Sequence, residues 1–413
     1  MNISTCPYPD CTGAPADGAA FCPACDRDVL RCRCGAPNRL LARYCRTCGA
    51  ALCSPWDWRM ARGDAAGSGL INISLPFAPA IAEAGRFALE GELSAQFVYR
   101  HGHLFFPIAN RGVAVYRARD ARLVTLVPSR SSRIGAVAVS DEHLLAAGAG
   151  GLEATLLAEI LKKGALTSRT LLAEPVASER GQTLLVLDSP PIACAAGEAA
   201  VHAVPLKENA PQWAIPRQGK GEAVLVHAAE QIVVIEQTGE IWGADPVTGA
   251  RLWADHLGCA VRTRAGAAAA GDHLYVIDAD GYLVMIHAGK RLHLKTTHNF
   301  GEATGLACSE HHVYVTGTRG LQRCVPATPA SVLISGDVFS TAPLLTRGTV
   351  FAATEHGSLI FADALSQGER HYLLQGVKDL PRTAPVLTEG RLFLASRQGE
   401  IVIYAVAPNG GLV

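Results

Sequence analysis

Four stretches in the second half of the chain share one design: IVVIEQTGEIWGAD (232–245), LYVIDADGYLVMIH (274–287), VFAATEHGSLIFAD (350–363) and LFLASRQGEIVIYAV (392–406). Each is an apolar strand, a polar turn ending in glycine, and a second alternating strand, which is the pattern of a β-hairpin. The turn glycines recur at Gly112, Gly151, Gly197, Gly239, Gly281, Gly320, Gly357 and Gly399, spaced 37 to 46 residues apart. One hairpin cannot bury its own apolar faces, and repetition near forty residues is the mark of four-stranded propeller blades. The expected fold is mainly β: an eight-bladed β-propeller, with seven blades as the alternative. The second and third units are the least regular. LEATLLAEILKKGAL (152–166) is compatible with a short helix, and SPPIACAAGEAAVHAV (189–204) stretches its turn.

The chain ends fit a closed ring. The last hairpin stops near Val406 without a fourth strand, while RFALEGELS (86–94) precedes the first complete unit. An N-terminal strand over Arg86 to Ser94 is expected to complete the last blade. Closure removes the exposed edges that an open sheet would offer to aggregation.

Sulfur is concentrated at the other end. Nine of the thirteen cysteines lie in the first 53 residues, whereas Cys194, Cys259, Cys308 and Cys324 are scattered and read as packing residues. Cys6, Cys11, Cys22 and Cys25 form one set, and Cys32, Cys34, Cys45 and Cys48 a second. In each set two close pairs are separated by ten residues. Such an excursion is long enough for a short hairpin to bring four thiolates onto one Zn²⁺ in a closed tetrahedral site. Phe21 and Tyr44 precede the second pair of each set, so the array reads as one ribbon duplicated. About 25 residues cannot bury enough apolar surface to fold alone, and structural zinc, at about 10–16 kcal/mol of apparent binding energy, supplies the deficit. Two structural zinc ions per chain are expected. Spacing leaves sequential and cross-braced pairing both open, and Cys53 is a spare thiol.

Rival chemistries fit less well. A disulfide framework is disfavoured by the close-pair spacing and by the N-terminus MNISTCPYPD, which lacks a basic region followed by an apolar core. A catalytic zinc usually takes a His or carboxylate ligand and keeps an open position, and residues 1–53 contain no His. Arg31, Arg33, Arg39, Arg43 and Arg46 surround the second set without an acid between Arg31 and Cys53, which offsets the thiolate charge and leaves a basic face.

The eight-cysteine array, CPYPDC…FCPAC followed by CRCG…YCRTCGAAL, resembles the double zinc ribbon at the ends of many bacterial regulatory proteins. That resemblance implies a place in a signalling or multiprotein assembly. The one-residue gap between Cys32 and Cys34 and the four-residue gap between Cys6 and Cys11 depart from the commonest knuckle. A second resemblance lies in GEIWGADPVTGARLW (239–253): Asp245, Thr248, Gly249 and Trp253 match the D-x-x-T-G-x-x-x-W turn of the quinoprotein-like, PQQ-type propeller repeat. There it implies a turn built by Asp and Thr-Gly and an indole that locks adjacent blades. NAPQW around Trp213 and DALSQGERHYL from Asp363 are degraded copies.

Quinoprotein dehydrogenases use the same ring, so catalysis needs testing. They resemble one another in an adjacent Cys-Cys pair, calcium-ligating acids, an Asp base and an export signal. This chain has no Cys-Cys dipeptide. It also lacks the G-x-x-x-x-G-K-[ST], H-E-x-x-H and G-x-S-x-G patterns. His311, His312, His287, His293 and His298 fall at strand ends and turns and read as hydrogen-bonding residues, a second metal site being the alternative.

Lys plus Arg and Asp plus Glu number 37 each, so no global field draws the protein to nucleic acid or to an anionic membrane. No window holds about eighteen uninterrupted apolar residues, so no spanning helix is expected. The expected organisation is a double zinc ribbon at 1–53, a linker at 54–70 anchored by Trp56 and Trp58, and a propeller at 71–413. The expected function is that of a non-catalytic, cytoplasmic interaction scaffold. Its propeller docks protein partners, the ribbons add a recognition module, no catalytic residue is assigned, and no small-molecule substrate or membrane partner is expected. Nucleic-acid binding through the Arg-rich second ribbon is one alternative, and a quinoprotein-type dehydrogenase the less favoured other.

Overall fold

The computed structural model describes residues 5–8, 11–15, 22–25, 29–32, 34, 36–39 and 45–48 in the cysteine-rich head, then 57–64, 67–71 and 75. It describes 80–407 except for 163–165, 177–181, 220, 289–291, 327, 329–330, 365–370, 380 and 382. Among the described residues are eight four-stranded antiparallel sheets and one two-stranded hairpin in the head. The propeller has eight blades, and the seven-blade alternative falls.

The first strands of blades 1 to 8 are Val98–Arg100, Ile134–Val139, Leu184–Asp188, Ala223–Ala228, Ala267–Ala270, Ala303–Cys308, Leu344–Leu345 and Val386–Thr388. They pack side by side from blade to blade, and that of blade 8 returns to that of blade 1, so they enclose the axis. Later strands of each blade lie progressively outward. Composition follows this radial order. IGAVAV (134–139) and HLLAAG (143–148) in blade 2 are buried throughout, with small residues where the ring is tightest, whereas the outer strand Arg122–Val127 of blade 1 is exposed or half-buried up to its last residue. Strands buried on both faces read as continuous apolar runs, which is why alternation is clearest in the outer half of each hairpin.

Seven of the eight periodic glycines have φ between 83° and 118°, and Gly197 is the exception. At these seven a Cβ would lie 2.0–2.5 Å from a backbone carbonyl oxygen, so the repeat is enforced by space as well as by torsion. In blade 2 the third strand, Gly151–Leu156, passes directly into the short helix Leu157–Lys162, whose Leu157 and Ile160 are buried against blades 1 and 2.

Ring closure comes from an N-terminal strand, but an earlier one than expected. Ala80–Ala88 pairs antiparallel with Glu400–Ala407, from Ala80 opposite Ala407 to Ala88 opposite Glu400. It becomes the outer strand of blade 8. The register shifts between Glu83 and Gly85, a bulge that breaks the alternation a reader would follow. Phe87 of this strand lies 5.1 Å from the Tyr116 ring and 6.2 Å, edge-on, from Phe106, so the closing strand also joins the aromatic cluster of blade 1.

The described residues 57–64 and 67–71, all but Ile71 within the stretch read as a linker, are held across the ring. Trp58 exchanges backbone hydrogen bonds with Tyr99 of blade 1 at 2.9 and 2.8 Å. The Arg59 carbonyl accepts from Val139 of blade 2 at 2.9 Å, and the Met60 sulfur accepts from Val186 N–H of blade 3 at 3.1 Å. Further on, Cys308 of blade 6 donates to the Ser68 carbonyl, Leu345 of blade 7 donates to Gly69, and Ile71 returns a bond to Leu345. Tyr99, Val139, Cys308 and Leu345 lie at or next to the ends of their strands. This strap therefore enters the channel at the mouth where the inner strands finish, and Arg62 reaches inward to the Ala265 carbonyl, which precedes the inner strand of blade 5.

Candidate metal centre

In the second ribbon Val29–Arg31 pairs with Pro37–Arg39, and the turn of this hairpin carries Cys32 and Cys34. Cys32 N–H donates to the Ala36 carbonyl at 3.1 Å and tightens that turn. Cys45 and Cys48 come from a second turn. The four sulfurs of Cys32, Cys34, Cys45 and Cys48 lie within 4.8 Å of one another, and so do those of Cys6, Cys11, Cys22 and Cys25. The grouping is sequential, which resolves the pairing that spacing left open.

The separations decide the chemistry. Cys6 to Cys25 and Cys11 to Cys22 are each 3.8 Å, Cys32 to Cys48 is 3.5 Å and Cys34 to Cys45 is 3.7 Å. A disulfide would require about 2.05 Å. Tetrahedral thiolates at the usual Zn–S distance of about 2.3 Å sit about 3.8 Å apart. The two four-cysteine clusters are therefore geometrically consistent with two structural zinc sites. With four sulfurs each, neither keeps the open position that catalysis requires.

Backbone and side-chain donors prepare the sulfurs for negative charge. Gly13 N–H points at Cys11 Sγ (3.4 Å) and Thr47 N–H at Cys45 Sγ (3.4 Å). Burial pushes the Cys45 thiol up, but the N–H groups of Cys48 and Thr47 and the amide of Asn38 outweigh it and bring it down to about 6. Cys22 settles near 7 by the same balance, with Ala24 and Cys25 as donors. Cys6 goes the other way, pushed up to about 12 chiefly by burial. A divalent cation removes this conflict, because it lets all four sulfurs be thiolates at once.

Asn38 was not singled out in the sequence. It is 1% exposed, and its amide donates to Cys45 Sγ (3.6 Å) and to the Ala36 carbonyl (2.9 Å), while its oxygen accepts from Arg46 N–H (2.8 Å). It orients the ligand from outside the coordination shell. A polar residue facing inward from a strand four residues beyond a knuckle was the available signal. Arg46, expected to add to a basic rim, instead sends its guanidinium to the Thr5 carbonyl at 2.8 Å and ties the two ribbons together. Phe21, Arg33, Arg43, Tyr44, Cys53 and Trp56 lie outside the described residues, as do the side chains of Arg31 and Arg39.

Three of the four scattered cysteines are packing residues, and Cys259 is half-buried. Cys194, Cys308 and Cys324 are buried in blades 3 and 6, and burial pushes all three thiols up, Cys324 to about 12. His287 lies 4.9 Å, ring to ring, from His273, but among the described residues no histidine joins a group of three metal-type ligands. His298 Nε2 contacts the Thr328 carbonyl at 2.7 Å, and His293 approaches Asp255 at 3.5 Å. Among the described residues the two four-cysteine clusters are the only groups of three or more metal-type ligands.

The 239–253 turn is built as its motif implied. Asp245 Oδ1 accepts from Val247 N–H, Thr248 N–H and Thr248 Oγ1 at 2.9, 2.7 and 2.9 Å, and Gly249 takes φ 70°. Trp253 is buried in the apolar cluster shared by blades 4 and 5. Trp213 of blade 3 covers Gly249 and donates to the Pro246 carbonyl of blade 4 at 3.1 Å, so two indoles lock successive blade pairs.

Comparison with known proteins agrees with this architecture. The sequence model of one family, described as outer membrane protein assembly factor BamB, matches residues 154–297. No curated protein matches the chain in sequence. Among solved structures, BamB from Moraxella catarrhalis aligns with TM-score 0.59 at 14% identity over 79% of this chain and 100% of its own. The computationally designed Ika8 protein aligns with TM-score 0.61 at 14% identity, covering 77% and 98%. A quinohemoprotein alcohol dehydrogenase, ADHIIG from Pseudomonas putida HK5, aligns with TM-score 0.61 at 11% identity, covering 87% and 81%. At these identities the structural likenesses establish the fold. The molecule is a BamB-like, PQQ-type propeller fused to two four-cysteine motifs that resemble tandem zinc ribbons. The matched family is described as that of an assembly factor. It is also described by the outer membrane, which overturns the cytoplasmic placement expected from the sequence. No helix among the described residues is long and apolar enough to cross a membrane.

Proposed function

We propose that this protein is a non-catalytic, zinc-stabilised scaffold. Its propeller docks a protein partner, and the double ribbon supplies a second recognition surface in a multiprotein assembly. The observation that carries the reading is the closed donor set: each cluster spends all four coordination positions on cysteine sulfur, as a structural metal requires and a catalytic one does not. The sequence match to an assembly-factor family supports the docking role of the ring. Eight rigid blades with variable loops suit that task, because recognition then resides in loops that the ring holds in place. The eight cysteines are assigned as the zinc ligands, and the division into head (1–53), connecting segment (54–70) and ring (71–413) belongs to the same proposal.

Affinity purification from native cells, followed by cross-link mapping, tests it. The full chain is compared with one beginning at residue 54, which keeps the strap. A stoichiometric partner cross-linked to propeller loops is the expected result, with a subset of its cross-links disappearing when the head is removed. Recovery of the chain without any stoichiometric partner in both forms would end the proposal.

A further inference from the structure

We propose that the open mouth of the central channel is a binding site for one small oxyanion, a phosphate or carboxylate group held between Arg62, Arg264 and the hydroxyls of blade 7. The strap closes one mouth, and Ala61 and Arg62 form the floor of a cavity that opens at the other. Its wall comes from the beginnings of the inner strands: Gln96, Gly135 to Val137, Thr304, Ser340 to Ala342 and Ala384, together with Arg264. The cavity is about 70 Å³, room for a small ion.

The charge balance of this cavity is one-sided. No Asp or Glu lines it, whereas two guanidinium groups do. Arg62 is 8% exposed, and its described partners are two carbonyls, those of Ala265 and of Leu306 (2.9 Å). It forms no ion pair among the described residues. Elsewhere in the strap the rule is different, since Arg59 is paired with Asp188. A buried cation without a counter-charge is costly, and burial alone brings Arg62 down to about 10. Arg264 is exposed and likewise has no ion pair among the described residues. Arg264 also borders a neighbouring cavity with Glu198 and Glu222, and there the Glu222 carboxylate accepts from Thr263 Oγ1 at 2.8 Å.

Polar groups complete the set. Ser340 Oγ and Thr341 Oγ1 are buried without a hydrogen-bond partner, although both residues line the cavity. Unmade hydrogen bonds of this kind are costly, and a ligand that accepts them recovers the loss. The other polar residues of the wall are already committed: Gln96 bonds Ala384 through both ends of its amide, and Thr304 donates to Phe339. The two unpartnered hydroxyls thus belong to blade 7, and the two guanidinium charges without an ion pair among the described residues to the strap and to blade 5, three directions around one axial space. An oxyanion accepts from all of them and supplies the missing negative charge.

The test is calorimetric titration of the full-length, zinc-loaded chain at low ionic strength, with inorganic phosphate in one arm and acetate in the other. One saturable site per chain is expected, for one or both anions, and the arm that binds identifies the oxyanion geometry. Arg264→Ala and Thr341→Val, both chosen to leave the strap contacts intact, should each weaken binding at least tenfold. Arg62→Lys, which keeps the charge but loses the fork, should weaken it as well. Absence of saturable binding of either anion at millimolar concentration would overturn the proposal. So would binding that survives the Arg264→Ala, Thr341→Val double variant, since it would place the anion outside this cavity.

Discussion

The Arg59 guanidinium holds both carboxylate oxygens of Asp188 at 2.5 and 2.7 Å, across 129 residues of sequence. This fork joins the strap to the last residue of an inner strand of blade 3, and it sits at the rim with Asp188 about half exposed. A rim pair of good bidentate geometry contributes about 1 kcal/mol after solvent screening. Asp188→Asn should therefore raise the population of undocked strap about fivefold without unfolding the ring. Limited proteolysis reads this directly: cleavage within 57–71 should accelerate by that factor while the blades stay intact. Equal cleavage rates in variant and wild type would show that the backbone contacts alone hold the strap.

Metal removal should act on the head alone. A strong chelator is expected to extract two zinc ions per chain and to abolish the hairpin Val29–Arg31/Pro37–Arg39, while the strand signal of the ring persists. Asn38→Ala removes a donor to Cys45 Sγ without touching a ligand, and should weaken the second site by about tenfold and leave the first unchanged. Competition with a chromophoric chelator separates the two sites. A chain purified metal-free, or one holding a single ion, would contradict the ligand assignment.

The turn glycines give a stability test with an internal control. Gly320 has φ 97°, and a Cβ there would lie 2.1 Å from the Ser335 carbonyl oxygen, so neither torsion nor space admits a side chain. Gly320→Ala should cost at least about 2 kcal/mol, from backbone strain plus displacement of the outer strand of blade 6. Gly85 has nothing within 4 Å of its would-be Cβ and an ordinary φ, so Gly85→Ala should be neutral or slightly stabilising. Chemical denaturation of the two variants should differ by that amount. Similar midpoints would mean that the turn can relax.

These glycines also mark what the sequence could reveal. A hairpin repeated eight times imposes the same torsion at the same place, and seven of the eight positions show it, so blade number and order were legible. Gly197 lies in the same turn position without a left-handed torsion, which matches the stretched turn around it. The closing strand was displaced by about six residues because the bulge between Glu83 and Gly85 hides its alternation, whereas RFALEGELS looks regular. The four-cysteine clusters were legible because zinc demands four thiolates at close spacing. The strap was not: its grip comes from backbone groups and arginine–carbonyl bonds to partners as distant in sequence as Leu345, which donates to Gly69, and no periodicity announces those. Asn38 and the channel cavity were hidden for the same reason, since both depend on which side chains a closed ring turns inward.

Asp57 offers a pH test of strap docking. Its carboxylate is buried against Arg100, with Oδ2 3.6 Å from the guanidinium, and Oδ1 has no hydrogen-bond partner among the described residues. Burial raises it to about 6 from an ordinary value near 3.8, and the pull of Arg100 and Arg59 does not compensate. A carboxyl raised on docking binds its proton more tightly in the docked state, so docking loses stability as pH climbs from the undocked value to the docked one. The loss begins near pH 4, is complete a little above pH 6, and amounts to about 2–3 kcal/mol. Asp57→Asn removes this titration. Opening of the strap can be followed by hydrogen exchange of the Tyr99 amide, which donates to the Trp58 carbonyl at 2.8 Å, after correction for intrinsic exchange. The variant should gain protection relative to wild type as pH rises from 4 to 7. Parallel protection curves across that window would show that Asp57 stays ionised in its pocket, and that the Arg100 contact outweighs the cost of burying it.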